Sequence, residues 1–306
     1  MINSLLPTRL SGRFRGSVLS IPFLFLFLGF QAFGQDDFKP KLGLIDRVSL
    51  EMTAYPGDST ADAVYLYDRG KVNFTYDDQK GLLMTTNIWV RIKILKESAL
   101  ARASAGIPCY EGPSYKEQEW VEDLKGYTYN LENDQIVRTE LDKKTVRREK
   151  TAESIATTKF NLPNVKKGSI IEYTYSVVSP MNVKNEPSPW VFQSSIPSRW
   201  SEYNIVVPDF LDYKMTMGGY LQLHINNQEA TNVSVGHSRF DGGGRSYRFV
   251  VKDAPAFVNE PYITTEADYL SKIAFELATV RVPGGMVKNY SQTWENVDRT
   301  LDEAKW

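Results

Sequence analysis

The chain has 306 residues, enough for one large domain or two ordinary ones. Hydrophobic residues make up 42% and charged residues 24%, the balance of a folded globular protein. A formal net charge of −1 argues against a nucleic-acid-binding protein, and the single cysteine, Cys109, excludes an intrachain disulfide. Aromatic residues reach 12%, weighted towards tyrosine, which favours strands over helices.

The N-terminal segment, residues 1–34, has the three parts of a secretory signal peptide. Arginines precede an apolar run at 18–30, and small residues at Ala32 and Gly34 offer a cleavage site before Gln35. The alternative is a membrane anchor, but the run is shorter than the ~20 residues needed to span a bilayer. We therefore expect an exported protein, periplasmic, secreted or at the cell surface, without a transmembrane segment after cleavage. Cleavage removes three arginines and no acid, which lowers the net charge from −1 to −4.

Two patterns predict the first strands of the mature chain. Residues 63–68 and 72–76 read as strands joined by a tight turn at 68–71, which predicts a hairpin. Residues 82–95 alternate with a period of two, with apolar residues on one face and Asn87, Arg91 and Lys93 on the other. This run predicts one long strand with a single buried face, in a large twisted sheet.

Similar patterns continue to the end of the chain, separated by turn signals rich in Gly and Asn. They predict strands at 136–141, 168–178, 199–207, 210–217, 220–225, 233–240, 245–251 and 269–280, and a helix at 293–306. Many short strands at this spacing are typical of sandwiches and barrels. The sequence therefore predicts an all-β fold, a large twisted antiparallel β-sandwich with a short C-terminal helix.

The sequence contains no recognisable catalytic or metal-binding motif, and no cofactor is expected. Nucleophilic catalysis by cysteine requires a nearby histidine, and the only histidines are His224 and His237. Cys109 lies at a predicted strand end with no helix to lower its pKa, so we predict a structural cysteine. There is no CxxC or HExxH spacing for a metal. A basic run at 143–150 has two interpretations, an anion-binding patch or a solvated sheet edge, and the edge is favoured.

Four aromatic residues are the candidates for an interaction surface. Trp190, Phe192, Trp200 and Tyr203 lie in or beside a proline-rich link between two predicted strands. Exposed, they would form a binding surface for a protein or peptide partner. The alternative is that they fill the core beneath the link.

The same stretch resembles the DUF3857 family, an exported bacterial domain typical of Bacteroidetes. The resemblance rests on five segments, which agree in order and span about 42–280: RIKILK at 91–96, YTYNL at 127–131, FNLPNVKKGSIIEYTYSVVSP at 160–180, WVFQSSIPSRWSEYNIVVP at 190–208 and APAFVNEPYI at 254–263. The resemblance implies an N-terminal β domain that commonly precedes a transglutaminase-like, papain-type domain carrying Cys, His and Asp.

No residue of this sequence matches that catalytic motif. The resemblance implies a β domain at 35–255 and a connector at 256–306, where Trp294 begins a linking helix and joins the candidate interaction residues. We therefore predict a non-catalytic exported module, an accessory or interaction domain of a transglutaminase- or protease-like protein. The alternative is a truncated N-terminal part of such an enzyme, inactive without its core. An autonomous enzyme that uses its own carboxylates is a third, less favoured hypothesis.

Overall fold

The computed structural model describes residues 38–181, 186–258, 265–282 and 284–290. The predicted signal peptide and the predicted helix at 293–306, with Trp294, lie outside these ranges. The described helices are α1 (Arg47–Glu51) and α2 (Glu266–Tyr269). The strands are β1 (Ala63–Asp77), β2 (Gly81–Ile94), β3 (Ser104–Tyr110), β4 (Trp120–Glu132), β5 (Gln135–Glu140), β6 (Arg147–Ala152), β7 (Ile155–Asn161), β8 (Ile170–Pro180), β9 (Trp190–Val191), β10 (Ser198–Pro208), β11 (Leu211–Gly218), β12 (Ile225–Val233), β13 (Gly242–Ala254), β14 (Lys272–Arg281) and β15 (Val287–Asn289). The predicted all-β fold is confirmed.

An eight-stranded sheet forms the centre of the molecule, in the order β12-β13-β10-β1-β2-β8-β4-β5. Its neighbouring strands are antiparallel except β1 and β10, which run parallel, with Val72 opposite Ile205. The expectation of a wholly antiparallel sheet is therefore wrong at this pair. Parallel neighbours require a long crossover connection. The proline-rich link between β8 and β10 provides it and brings β10 to the far side of β1.

The prediction of a hairpin at 63–76 is wrong, because these residues belong to the single strand β1. Residues 68–71, predicted as a tight turn, lie in the middle of one continuous strand that pairs with β2 on one side and β10 on the other. Hydrogen bonds on both edges outweigh the local turn preference of Asp and Gly. Gly70 is needed for another reason, because an added Cβ would lie 2.6 Å from the Trp190 ring.

Two smaller sheets cover one face of the large sheet, which we call the inner face. One contains β11, β14 and β15 with β9 at its edge, and the other has the order β3-β7-β6. Each packs its own apolar cluster against the large sheet, the first around Tyr203, Ile205 and Phe275, the second around Ile92 and Ile171. The result is a β-sandwich whose second layer is split in two. Strand β14, from the range expected to be a connector, is a member of this layer.

The β12–β13 region differs from the predicted pattern. The predicted strand at 220–225 is irregular up to residue 224, and β12 begins at Ile225 and runs through the predicted turn at Asn226 and Asn227. The predicted strand at 233–240 is also irregular after Val233. Because β12 is an edge strand whose residues 226–230 are all exposed, no apolar alternation marks it in the sequence.

The opposite face of the large sheet, which we call the outer face, carries polar side chains. Part of it is covered by the segment around α1, whose Leu50 packs with Val64 and Ile170. Arg91 and Lys93 of β2, predicted on a solvated face, are 4% and 0% exposed. The prediction that β2 has only one buried face is therefore wrong, and the physical reason lies in the polar contacts described below.

Candidate functional site on the outer face of the large sheet

The predicted aromatic surface is largely a part of the core. Phe192, Trp200 and Tyr203 are each 1% exposed, so the interpretation of these three as an interaction surface is wrong. Trp190 is partly buried, stacks on Tyr203 at 5.5 Å and donates from Nε1 to the Ser201 hydroxyl at 3.1 Å. The rings of Trp190, Phe192 and Tyr203 fill the space between the link and the inner face of the sheet. Trp200 is buried on the opposite, outer face.

Cys109 is placed as a structural residue. It is 2% exposed within the second apolar cluster. Burial, together with the charge of Glu119, raises the pKa of its thiol to about 11. The two histidines lie elsewhere, His224 edge-on to Trp200 at 5.7 Å and His237 beside Tyr76 at 4.8 Å. Nothing described around Cys109 activates its thiol as a nucleophile.

Glu172 of β8 is the centre of the first polar cluster on the outer face. The Arg91 guanidinium donates to its Oε1 from Nε at 2.9 Å and from Nη2 at 2.6 Å. Trp89 Nε1 donates to the same oxygen at 2.9 Å. The Tyr129 hydroxyl and the Gly43 amide each donate to Oε2 at 2.9 Å. Although Glu172 is fully buried, its carboxylate therefore receives five donated hydrogen bonds and an ion pair.

Glu202 of β10 is the centre of a second cluster on the same face. Trp200 Nε1 and Asn204 Nδ2 donate to it at 2.9 Å, and Arg248 Nε donates at 3.1 Å. Burial alone would raise the pKa of Glu202, but hydrogen bonds from Arg248, Asn204 and Trp200 outweigh burial and lower it. These hydrogen bonds therefore hold the Glu202 carboxylate ionised as a structural group.

Lys93 is a third buried charge. Its ammonium donates to the backbone carbonyl oxygens of Leu50 and Gly168, the latter at 2.6 Å. Burial lowers the pKa of Lys93 to about 8. The lysine ties α1 to the loop before β8, which explains how a charge is tolerated inside this face.

Next to the two carboxylate clusters the outer face forms a hollow of about 560 Å³, which we call the basic hollow. It crosses four strands, since Arg69 lies opposite Trp89, Trp89 opposite Thr174, and Thr174 opposite Lys125. Its polar and aromatic lining consists of Arg69, Lys71, Asn73, Asn87, Trp89, Asp123, Lys125, Thr174, Tyr175 and Ser176. The volume lies within the usual range for small-molecule sites.

The charged side chains that line the basic hollow are mostly positive. Three cationic side chains, Arg69, Lys71 and Lys125, face a single acid, Asp123. Arg69 Nε is buried and has no hydrogen-bond partner in the part of the chain that the structure describes. The described residues also contain no group of three or more acids, histidines or cysteines that would hold a metal ion. The hollow is therefore suited to an anionic ligand rather than to a cation.

The basic hollow leaves little signal in the sequence, for two reasons. The predicted turn at 68–71 removed Arg69 and Lys71 from the sheet, so their position opposite Trp89 and Asn87 was not seen. The polar residues Thr174 and Ser176 alternate with apolar residues in β8, and such polar faces are ordinarily solvated. Only the alternation of β1 through residue 71 would have indicated the site.

Comparisons with known proteins support the fold. The crystal structure of a "putative protease" from Parabacteroides distasonis matches with a TM-score of 0.53 at 13% identity, over 70% of this chain and 40% of that one. Leukotriene A4 hydrolase from Saccharomyces cerevisiae matches over 72% of this chain and 30% of the enzyme at 10% identity, but its TM-score of 0.29 carries no argument. No curated protein matches the sequence.

In the described ranges no helix has the length and apolar character required to cross a membrane. The family model described as "Domain of Unknown Function with solved-structure structure (DUF3857)" matches residues 83–258. This match covers more than half of the chain, includes both polar clusters and most of the basic hollow, and agrees with the segments that carried the resemblance. The chain belongs to the DUF3857 family.

Proposed function

We propose that this chain is a non-catalytic, exported β-sandwich module that serves as an accessory or interaction domain of a protease-like protein. The observation that carries the proposal is the state of Cys109, whose thiol lies in the core with its pKa raised to about 11. A cysteine nucleophile needs an accessible thiolate beside a base. The solved structure from Parabacteroides distasonis is named for a protease, and 40% of its length is matched, which fits a module within a longer protein.

Alkylation of Cys109 in the full chain tests this proposal. With iodoacetamide at pH 8 we expect the native protein to react at least about tenfold more slowly than the protein unfolded in urea, because the buried thiol is protonated. The Cys109→Ser chain is the control for labelling elsewhere. Fast native labelling, or a peptide hydrolysis or transamidation activity that Cys109→Ser abolishes, would overturn the non-catalytic role.

A second candidate function is the N-terminal part of a transglutaminase-like enzyme that is inactive without its core. The observation that favours it is again the partial match, because this chain spans less than half of the structure it resembles. Genomic sequence beyond the codon for Trp306 decides between the two. A continuation encoding a Cys, His and Asp core supports the enzyme, and an unrelated gene after a stop codon supports the separate module.

Export is a part of the first proposal, and it rests on the pattern of residues 1–34. Mass spectrometry of the product recovered from the periplasm or medium is expected to find an N-terminus at Gln35. Recovery of the intact chain from the cytoplasm alone would contradict export.

A further inference from the structure

The basic hollow combines the volume of a ligand site with cations that no carboxylate neutralises. Arg69, Lys71 and Lys125 form no ion pair with any residue that the structure describes, and the hollow of about 560 Å³ contains only Asp123 as an acid. By contrast, the neighbouring Arg91 is fully engaged by Glu172. As far as the structure describes it, the outer face therefore holds two arginines with carboxylate partners, Arg91 and Arg248, and Arg69 without one.

Arg69 is the most informative of these cations. Its Cα pairs with that of Glu202 across β1 and β10, so an acid is adjacent in register. That carboxylate is already used by Trp200, Asn204 and Arg248. Arg69 Nε is left buried without an acceptor in the described chain. A buried donor without a partner is destabilising, and folded proteins rarely leave one.

The surroundings of Arg69 indicate the chemistry of the missing acceptor. Lys71 lies two residues further along β1, on the same face at about 7 Å. A guanidinium binds a carboxylate or phosphate through two parallel hydrogen bonds, and a nearby ammonium adds a point charge. The acceptor is therefore an oxyanion.

The floor of the hollow indicates what the oxyanion is attached to. Thr174 and Ser176 present hydroxyl groups, and Trp89 lines the same floor. The Trp89 indole is fixed by its hydrogen bond to Glu172 and by edge contact with Tyr67 at 4.7 Å between ring centroids. A fixed aromatic ring beside hydroxyl groups suits a compact body that has both apolar and hydroxyl-bearing parts, such as a sugar ring.

We infer that the basic hollow binds a small molecule with a hydroxyl-bearing body and a carboxylate or phosphate group. The oxyanion contacts Arg69 and Lys71, and the body lies on Trp89, Thr174 and Ser176. Lys125, three strands away on the opposite wall, provides a place for a second anionic group. This site is independent of whether the whole protein is an enzyme.

Three hexoses of one ring size test the inference: D-glucuronate, D-glucose 6-phosphate and neutral D-glucose. Each is titrated into the full chain while the arginine Nε–H signals are followed by NMR. We expect the Arg69 Nε–H signal to shift with the two anionic sugars and not with glucose, and the shift to weaken at high salt. The tighter of the two anionic sugars identifies carboxylate or phosphate as the natural group.

Matched variants locate the binding. Arg69→Gln and Lys71→Gln are each expected to weaken anionic-sugar binding about tenfold or more, whereas Arg138→Gln, an exposed arginine outside the hollow, leaves the affinity unchanged. If Arg69→Gln fails to fold, the affinity of Lys71→Gln still tests the site, because Lys71 is partly exposed and its substitution should not prevent folding. Equal binding of glucose, no binding of either anionic sugar at tens of millimolar, or full affinity in Lys71→Gln would overturn the inference.

Discussion

Acidic side chains have different surroundings on the two faces of the large sheet. On the outer face, Glu172 is completely buried and receives five hydrogen bonds, and Glu202 is similarly surrounded by donors. On the inner face, Asp68 lies among tyrosine rings, and no hydrogen bond or ion pair to its carboxyl is found in the described chain. The same sheet thus stabilises the charge of an acid on one side and disfavours it on the other.

The difference follows from what each face packs against. The outer face has arginine, tryptophan and tyrosine donors in register with the acids, so burial is compensated. The inner face packs against two apolar clusters, where the rings of Tyr65, Tyr173 and Tyr175 surround Asp68. There burial raises the pKa of Asp68 to about 7. The three predictions below test this contrast, with the largest expected effect first.

Breaking the Glu172 cluster is expected to have the largest effect. Glu172→Gln leaves the Arg91 guanidinium buried without its counter-charge, which should lower the free energy of unfolding by about 3–5 kcal/mol. Urea denaturation of the full chain measures this. The control is Lys166→Gln, which breaks an exposed pair with Glu132 at 2.8 Å and should cost about 1 kcal/mol or less. Equal effects of the two substitutions would show that the outer cluster is not a structural centre.

Filling the space at Gly70 is expected to have a smaller effect. An added Cβ would lie 2.6 Å from the Trp190 ring and 3.0 Å from Tyr203 Cδ2, so Gly70→Ala should lower the free energy of unfolding by about 1–3 kcal/mol. Gly242→Ala is the matched control, since nothing lies within 4 Å of its added Cβ. Thermal or urea unfolding compares the two variants. An unchanged free energy of unfolding in Gly70→Ala would show that the proline-rich link is not tightly packed against β1.

Asp68 is expected to give an effect of similar size but opposite sign, with a characteristic pH dependence. Below the usual pKa of 3.8 both the folded and the unfolded chain hold its proton. As the pH rises from about 4 to about 7, the unfolded chain loses the proton first, so the free energy of unfolding falls, and above about 7 the loss is complete. Asp68→Asn removes this fall.

The variant should therefore gain on the order of 1–3 kcal/mol over the original chain between pH 4.5 and pH 8. Urea unfolding at the two pH values measures the gain, and the exposed Asp78→Asn is the control. A difference between Asp68→Asn and the original chain that stays constant with pH would contradict an unpartnered acid on the inner face.

Local sequence patterns predicted much of this fold, because the clearest alternation of apolar and polar residues occurs in strands that have one apolar face. The alternation at 82–95 and 168–178 correctly located β2 and β8, and the predicted strand at 136–141 corresponds to β5. Sequence patterns gave wrong predictions where pairing with neighbouring strands, and not side-chain alternation, determines the local structure. Asp68 to Lys71 has turn-like residues, yet two flanking strands hold it extended, and β12 is formed by exposed polar residues that pair with β13.

By itself the sequence determined the all-β class and the family, since alternation, composition and family motifs are local. Only the tertiary structure decided what the polar residues do. The sequence pattern places Arg91, Glu172 and Glu202 in three separate strands, and it places Arg69 in a predicted turn. The sheet order brings these strands together, so that Arg91 meets Glu172 while Arg69 is left facing the basic hollow. Contacts across a sheet depend on register and crossover, which no single strand encodes.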